Sequence, residues 1–204
     1  MGRNRISTVV FDFGNVLARV ERLKICRRFS KHSPLSPEEI CSCIYGTEIE
    51  YDSETGKYDS RGHFLKIKES ILAEEGWSYD EFCGEFKDGF ERNPDGEAAL
   101  KYAGERARVF VLSNTTKLHA RWLLDHKELS KIPELFIFSY EVGVMKPDEK
   151  IWKIMCQRGG VEPEECLYID DVKEYCIAAE KLGFNVINYD INSGNLKKEL
   201  HKWL

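Results

Sequence analysis

The sequence lacks the features that mark membrane proteins and nucleic-acid-binding proteins. No apolar run approaches the ~20 residues that a membrane-spanning helix needs, and residues 1–7 show no apolar signal region. Gly2 does not begin a myristoylation motif, because Ile6 stands where Ser or Thr is required. The formal net charge is -5 and the basic clusters are short. We therefore expect a cytoplasmic protein with neither a membrane nor a nucleic-acid partner.

The cysteines do not have the spacing of a zinc site. Cys41 and Cys43 form the only close pair among seven cysteines, and no second pair or His partner follows at ligand spacing. Because no secretion signal is recognisable, we predict reduced thiols and no metal–thiolate site. The sequence also contains no internal repeat and no low-complexity segment.

Short apolar runs alternate with segments of helical periodicity through most of the chain. The hydrophobic content of 42% suits a packed globular core. The runs predicted as strands are residues 8–11, 107–112, 135–138, 167–169 and 184–189. Strands that alternate with helices imply βαβ crossovers, so we predict an α/β fold with a doubly wound parallel sheet.

The segment from residue 18 to residue 92 interrupts this alternation. We predict helices over 19–29, from Ser36 as N-cap to Gly46, from Asp59 or Ser60 to near Gly76, and over 79–90. The polar stretch 47–62 is predicted as a loop. Residues 1–17 and 93–204 would then form the α/β core, and residues 18–92 an all-helical insertion after the first strand.

Polar clusters follow three of the predicted strands: Asp12, then Ser113-Asn114, then Asp170-Asp171. In open α/β sheets, ligands bind at the carboxyl ends of the strands, so we expect these clusters to meet at one edge. The carboxylates suit Mg²⁺, and Ser113 and Asn114 at a helix start suit phosphate oxygens. Lys146 adds a compact positive charge, and a carboxylate can attack phosphorus.

Four segments together resemble the motifs of the haloacid dehalogenase (HAD) superfamily, in its phosphatase-like branch. They are Phe-Asp-Phe-Gly-Asn-Val-Leu at 11–17, Val-Leu-Ser-Asn-Thr at 111–115, Lys-Pro at 146–147 and Tyr-Ile-Asp-Asp at 168–171. Their order and spacing are those of the family and cover nearly the whole chain. The resemblance implies a Rossmann-type core and makes the helical insertion a small cap that covers the site and selects the substrate.

The resemblance also implies roles for individual residues. Asp12 would be the nucleophile and a Mg²⁺ ligand, and the Gly14 carbonyl a further ligand. Ser113 and Asn114 would bind phosphate, and Lys146 would orient both the nucleophile and the phosphate. Asp171 would be the direct metal ligand of the acidic pair, with Asp170 beside it in the same coordination shell. The expected reaction is hydrolysis of a small, sugar-phosphate-like monoester through an aspartyl-phosphate, and the expected partner is a small phosphorylated metabolite.

The sequence departs from the family at Gly14, where most of its phosphatases carry a second aspartate that protonates the leaving group and activates water. That function is worth roughly 10²–10⁴-fold in rate. Three interpretations follow. The first is a phosphatase for esters whose leaving group needs little protonation, such as an anomeric sugar hydroxyl or an acyl group, in which another group activates water; the candidates are Asp170, His119 and Glu141. The second is a 2-haloacid dehalogenase, which the acidic pair disfavours, and the third is a non-catalytic protein that binds a phosphorylated ligand or a partner.

Overall fold

The computed structural model describes residues 5–204. The strand bounds, in chain order, are β1 Thr8–Phe11, β2 Ala18–Val20, β3 Phe90–Arg92, β4 Arg108–Ser113, β5 Leu135–Phe138, β6 Cys166–Asp170 and β7 Asn185–Asn188. The central sheet is parallel and has five strands in the order β5-β4-β1-β6-β7, and a separate two-stranded antiparallel sheet pairs β2 with β3. The predicted α/β class and the parallel sheet are confirmed.

Helices cover both faces of the central sheet and fill the segment between β2 and β3. Their bounds are α1 Arg22–Phe29, α2 Pro37–Ile44, α3 Glu48–Glu54, α4 Ser60–Ser70, α5 Tyr79–Lys87, α6 Pro94–Gly104, α7 Lys117–Asp125, α8 Ser139–Val142, α9 Glu149–Gly159, α10 Lys173–Lys181 and α11 Leu196–Leu200. A 3₁₀ turn at Pro163–Glu165 precedes β6.

The central strand β1 is buried on both faces, as its unbroken apolar run predicts. Val9 and Phe11 belong to the apolar cluster that includes residues of α6, α7 and α11. Val10 belongs to the opposite cluster, with residues of α9 and α10. Both faces of β1 are thus covered. Because β1 pairs with β4 on one side and with β6 on the other, Asp12 emerges in the middle of the carboxyl edge of the sheet.

The prediction that residues 18–92 are entirely helical is wrong at both ends. Ala18–Val20 and Phe90–Arg92 form the antiparallel pair β2–β3. Ala18 is fully buried in the core, and Phe90 stacks on Phe13 with 5.8 Å between ring centroids. Tertiary packing therefore holds these two short segments in the extended conformation of strands. The bounds of the core and the insertion at 17/18 and 92/93 stay a prediction.

The helices α1–α5 between these strands, hereafter the cap, have an apolar cluster of their own. Its aromatic centre consists of Phe29, Trp77, Phe82 and Phe86. The N-cap predicted at Ser36 is confirmed, and it forms a capping box in which the Glu39 side chain accepts the Ser36 N–H. Asp59, one of the two predicted caps, is the N-cap of α4, which ends at Ser70 instead of near Gly76.

The predicted loop over residues 47–62 is wrong, because it contains α3 and the start of α4. The Thr47 hydroxyl accepts the Ile49 N–H and caps α3. The last three residues of α3, Asp52 to Glu54, are buried despite their polarity. Composition suggested a solvated loop, whereas the segment packs between the rest of the cap and the core.

The prediction that all cysteines are reduced thiols is contradicted in the cap. Cys26 of α1 and Cys41 of α2 form a disulfide, with Cα atoms 5.8 Å apart. Packing of α1 on α2 sets a Cα separation typical of a disulfide, and the sequence separation of 15 gave no indication of the pairing. Cys43, Cys83, Cys156, Cys166 and Cys176 are free.

None of the helices within residues 5–204 is both long and apolar enough to cross a bilayer.

Gly96 lets the start of α6 approach the loop that follows β1. A Cβ at Gly96 would lie 1.9 Å from the Val16 carbonyl oxygen. We expect Gly96→Ala to lower the free energy of unfolding by roughly 1–3 kcal/mol, because the backbone must shift. Gly84→Ala in α5, where a Cβ meets nothing within 4 Å, should instead raise it by about 0.5–1 kcal/mol. Urea denaturation of both variants measures this, and equal shifts would contradict the packing described.

Candidate active site

Three carboxylates meet at the carboxyl edge of the sheet, where the sequence placed them. Asp12 follows β1 directly, and its N–H donates to the Ile169 carbonyl at 2.9 Å. Asp170 is the last residue of β6 and Asp171 is the next residue. One oxygen from each of the three side chains lies within 4.8 Å of the others. The structure thus brings the predicted acidic residues into one group.

Lys146 lies between two of these carboxylates and is 1% exposed. Its Nζ is 2.7 Å from Asp170 Oδ2 and 3.0 Å from Asp12 Oδ1. The contact with Asp170 has hydrogen-bond geometry, whereas the contact with Asp12 is an ion pair. Burial alone would lower the pKa of Lys146, but the charges of Asp12 and Asp170 outweigh it and raise that pKa. Lys146 is therefore a fixed cation beside Asp12.

Asp170 is fully buried, and both of its oxygens are engaged. Oδ2 accepts hydrogen bonds from Lys146 Nζ and the Tyr168 hydroxyl. Oδ1 accepts the Val172 N–H at 2.8 Å. Asp170 therefore aligns Lys146, a role that the sequence did not indicate. The predicted place of Asp170 in a metal coordination shell stays a prediction.

Asn114 holds the backbone of Lys146. Its Oδ1 accepts the Lys146 N–H at 2.7 Å, and its Nδ2 donates to the Lys146 carbonyl at 2.9 Å. The side chain predicted to bind phosphate is thus occupied in positioning Lys146, so a phosphate contact from Asn114 would use its backbone N–H. Ser113, the last residue of β4, is 1% exposed and lines the cavity beside Asp12. The phosphate roles of both residues stay predictions.

The turn after Asp12 positions Asp171 through Asn15, a residue that sequence reasoning missed. Asn15 has φ 52°, in the left-handed region that Asn tolerates better than most residues. Its Nδ2 donates to Asp171 Oδ2 at 3.0 Å, and its Oδ1 accepts the Val20 N–H at 3.1 Å. Asn15 therefore links the carboxylate group to β2 at the entrance to the cap. Its place directly after Gly14 was the one available signal.

Electrostatics favour a cation at this position. Burial raises the pKa of Asp12 to about 7, with Asp170 and Asp171 adding to the effect and Lys146 opposing it. Burial also raises the pKa of Asp171. Three carboxylates with one lysine leave negative charge that a divalent ion would neutralise. The donor atoms are all oxygens, which are the ligands that Mg²⁺ prefers. The residues present therefore fit this ion.

A cavity of about 440 Å³ opens over the carboxylates between the core and the cap. The core contributes its floor, which includes Asp12, Gly14, Ser113, Asn114, Lys146 and Asp171. The cap contributes the polar residues Arg22, Tyr45, Glu50 and Glu54. Arg22 pairs with Glu50 at 2.9 Å, and its guanidinium lies 4.6 Å from the centre of the Tyr45 ring. The cap therefore covers the site with groups that can bind a polar ligand.

Glu54, at the end of α3, is a second residue that sequence reasoning missed. It is buried, and within residues 5–204 no hydrogen bond or ion pair engages its carboxyl. Burial raises its pKa to about 8, with Glu50 adding to the effect and Arg22 opposing it. This shift favours the protonated form of the Glu54 carboxyl. Its polar neighbours in sequence gave no signal of burial.

The three groups considered as substitutes for the missing acid–base aspartate have different surroundings. Asp170 is fully engaged, as described above. Glu141 is exposed, accepts a hydrogen bond from Tyr140, and does not line the cavity. His119 lines the cavity, but it packs against Phe86 and Phe90, with ring centroids 4.4 and 4.8 Å away. Burial lowers the pKa of His119 to about 3.

We expect millimolar Mg²⁺ to raise the unfolding temperature of the protein, because a ligand that binds only the folded state stabilises it, by about 2.7 kcal/mol at 100 times its Kd. Asp171→Asn should lose most of this increase, since it removes one of the grouped charges. Glu141→Gln, an exposed carboxyl outside the group, is the matched control and should retain it. Thermal melts with Mg²⁺ and with EDTA measure the effect, and equal shifts in the two variants would contradict the site.

Comparisons with known proteins agree with this architecture. The curated D-ribitol-5-phosphate phosphatase of Bacteroides thetaiotaomicron is 25% identical over 96% of this chain and 97% of its own length. A predicted HAD-like family hydrolase from Porphyromonas gingivalis superposes with a TM-score of 0.83, at 25% identity over 98% of each chain. A HAD family enzyme of B. thetaiotaomicron, solved with magnesium and inorganic phosphate, has a TM-score of 0.77 at 23% identity, covering 89% of this chain and 93% of its own.

The family profile gives the assignment directly. The profile of the haloacid dehalogenase-like hydrolases matches residues 6–183, which contain all four motifs and the whole cap. With the parallel sheet, the acidic edge and the buried lysine in place, the chain belongs to the haloacid dehalogenase-like hydrolase family.

Proposed function

We propose that this protein is a Mg²⁺-dependent phosphatase that hydrolyses a small phosphorylated carbohydrate through an aspartyl-phosphate on Asp12. The observation that carries the proposal is the position of Asp12, which lines the cavity between the core and the cap and lies beside a buried, charged lysine. A carboxylate held in this way can act as a nucleophile, and Lys146 neutralises the phosphoryl oxygens as they approach.

The metal fits the acidic edge of the cavity. Asp12, the Gly14 carbonyl and Asp171 would hold Mg²⁺, with Asp170 beside them. Bound there, Mg²⁺ would neutralise phosphoryl charge and orient the ester. The positive charges of Lys146 and of the bound cation would keep the Asp12 carboxylate ionised despite its burial.

The reaction divides into two displacements at phosphorus. In the first, an Asp12 oxygen forms a bond to phosphorus while the bond to the ester oxygen breaks, and the leaving alkoxide takes a proton. In the second, water attacks the phosphorus of the aspartyl-phosphate, loses a proton, and releases inorganic phosphate and free Asp12. Ser113, the Asn114 N–H and Lys146 bind the phosphoryl oxygens in both steps.

The carbohydrate class is supported by the cap and by the relatives. The cap lines the cavity with Arg22, Tyr45, Glu50 and Glu54, and the Tyr45 hydroxyl has no hydrogen-bond partner within the described residues. Such groups suit the hydroxyls of a sugar or polyol. The similar enzyme of B. thetaiotaomicron is named for D-ribitol-5-phosphate. A cytoplasmic location is part of the same proposal.

Dehalogenation has less support, because displacement of halide from carbon does not need a grouped set of three carboxylates. Gly14 is the one feature that favours a non-catalytic role, in which the cavity only binds a phosphorylated ligand. The intact Asp12–Lys146–Asp170 ion pairs favour catalysis, and the experiment below separates the two.

Phosphate release should be measured with D-ribitol-5-phosphate, an anomeric sugar phosphate, acetyl phosphate and p-nitrophenyl phosphate, with Mg²⁺ and with EDTA. We expect Mg²⁺-dependent turnover that Asp12→Asn lowers on the order of 10³-fold or more, because the nucleophile is lost. Glu141→Gln should leave it unchanged.

Activity that survives Asp12→Asn would contradict the nucleophile. If no ester is hydrolysed but phosphate or a phosphorylated sugar still raises the unfolding temperature, the protein is a binding protein and the proposed activity is wrong. Metal-independent halide release from 2-chloropropionate would favour the dehalogenase interpretation.

A further inference from the structure

The cavity that contains Asp12 is also lined by Glu54, a buried carboxyl of the cap. We propose that Glu54 is the general acid–base residue of this enzyme, replacing the aspartate that Gly14 removes. The inference rests on the proposed phosphatase function and adds to it the group that moves the proton.

The fold holds Glu54 firmly against the core. Glu54 ends α3, and the chain turns at Gly56, which has φ 75°. A Cβ on Gly56 would lie 2.1 Å from the Tyr140 carbonyl oxygen, so the turn is in direct contact with the core helix α8. This contact brings the end of α3 down onto the cavity, and both Glu54 and Asp12 line it. The cap thus contributes a carboxyl to the cavity that contains Asp12.

The groups around Glu54 determine its protonation. Arg22 of α1 and Glu50 of α3 form an ion pair, so their charges largely offset each other. Tyr45 lies beside Arg22. From the core, Lys146, Asp12 and Tyr175 are near enough to interact electrostatically with Glu54. Burial dominates these influences and raises the pKa of Glu54 to about 8. A protonated carboxyl near neutral pH is the form that a general acid needs.

Glu54 would donate a proton in the first displacement and recover one in the second. In the first, as Asp12 forms its bond to phosphorus, the Glu54 proton passes to the departing ester oxygen, and the product leaves as a neutral alcohol. In the second, the Glu54 carboxylate takes a proton from the attacking water as its oxygen bonds to phosphorus and the bond to Asp12 breaks. Phosphate leaves, and Glu54 is again protonated.

Gly14 provides a complementary observation, because its backbone has room for a Cβ and it lines the cavity. A Cβ at Gly14 would meet only Val20 Cγ2, at an ordinary contact distance of 3.6 Å, and the φ of Gly14 is not in the left-handed region. Neither packing nor backbone conformation therefore excludes an aspartate. The family's acid can be restored at its usual place to test whether Glu54 has taken over its function.

The test compares Glu54→Gln with wild type on two classes of ester. One is the primary-alkyl phosphate that the wild type hydrolyses fastest, beginning with D-ribitol-5-phosphate, whose leaving group needs a proton. The other is p-nitrophenyl phosphate, whose leaving group does not. We expect Glu54→Gln to lower kcat/KM for the alkyl ester by about 10²–10⁴-fold and for the aryl ester by less than about 5-fold. For the alkyl ester, we expect the wild-type kcat/KM to fall at alkaline pH, because Glu54 loses its proton there. The Glu54→Gln variant should not show this fall.

Two variants serve as controls. Glu48→Gln changes an exposed carboxyl at the start of the same helix α3, outside the cavity, and the ratio of alkyl to aryl kcat/KM should stay that of wild type. Gly14→Asp should raise alkyl-ester kcat/KM at least tenfold in the Glu54→Gln background and much less in wild type. Equal gains in the two backgrounds would contradict a shared role. Melting curves establish that each variant is folded.

The failures are distinguishable. A wild type with no phosphatase activity defeats the proposed function itself. A wild type that is active only on acetyl or aryl phosphates, or a Glu54→Gln variant with an unchanged alkyl-to-aryl ratio, overturns only the role of Glu54. Collapse of that ratio in His119→Asn instead of Glu54→Gln would transfer the role to His119.

Discussion

The site depends on one buried cation between two buried carboxylates. Lys146 Nζ is 2.7 Å from Asp170 and 3.0 Å from Asp12, and removing any partner would leave an uncompensated charge, which typically costs about 3–5 kcal/mol. The remaining contacts preserve this arrangement: Asn114 holds the Lys146 backbone from both sides, and Tyr168 and the Val172 N–H hold Asp170. The order of the parallel strands then determines where the two carboxylates lie, at the ends of the neighbouring strands β1 and β6.

In our proposal, the chemistry is divided between the core and the cap. The core would supply charge for the phosphoryl group, whereas the cap would supply the proton and the groups that bind the rest of the substrate. This division has a consequence for specificity, because a proton donor on the cap works only when the substrate fits beneath α3. Selection of the substrate and acceleration of its reaction would then come from the same contact, and the loss of an aspartate at Gly14 would not mean the loss of catalysis.

Much of the core site could be predicted from the sequence, since the signals were local. Asp12, Ser113 and Asp170 each end or follow a buried apolar run, and the geometry of parallel sheets brings such ends together. The cap was harder. Glu54 lies among polar residues, and its burial comes from the contact of Gly56 with Tyr140, which no periodicity shows. The β2–β3 pair and the Cys26–Cys41 disulfide also depend on long-range packing.

The most direct test of the central claim is to detect the covalent intermediate. Wild-type protein is mixed with its fastest substrate and Mg²⁺, quenched in acid within the first turnover, and digested for mass spectrometry. Our account predicts the mass of one added phosphoryl group on the peptide that contains Asp12, absent from Asp12→Asn. Rapid turnover with no phosphoryl group on that peptide, or with the group on another residue, would contradict Asp12 as the nucleophile.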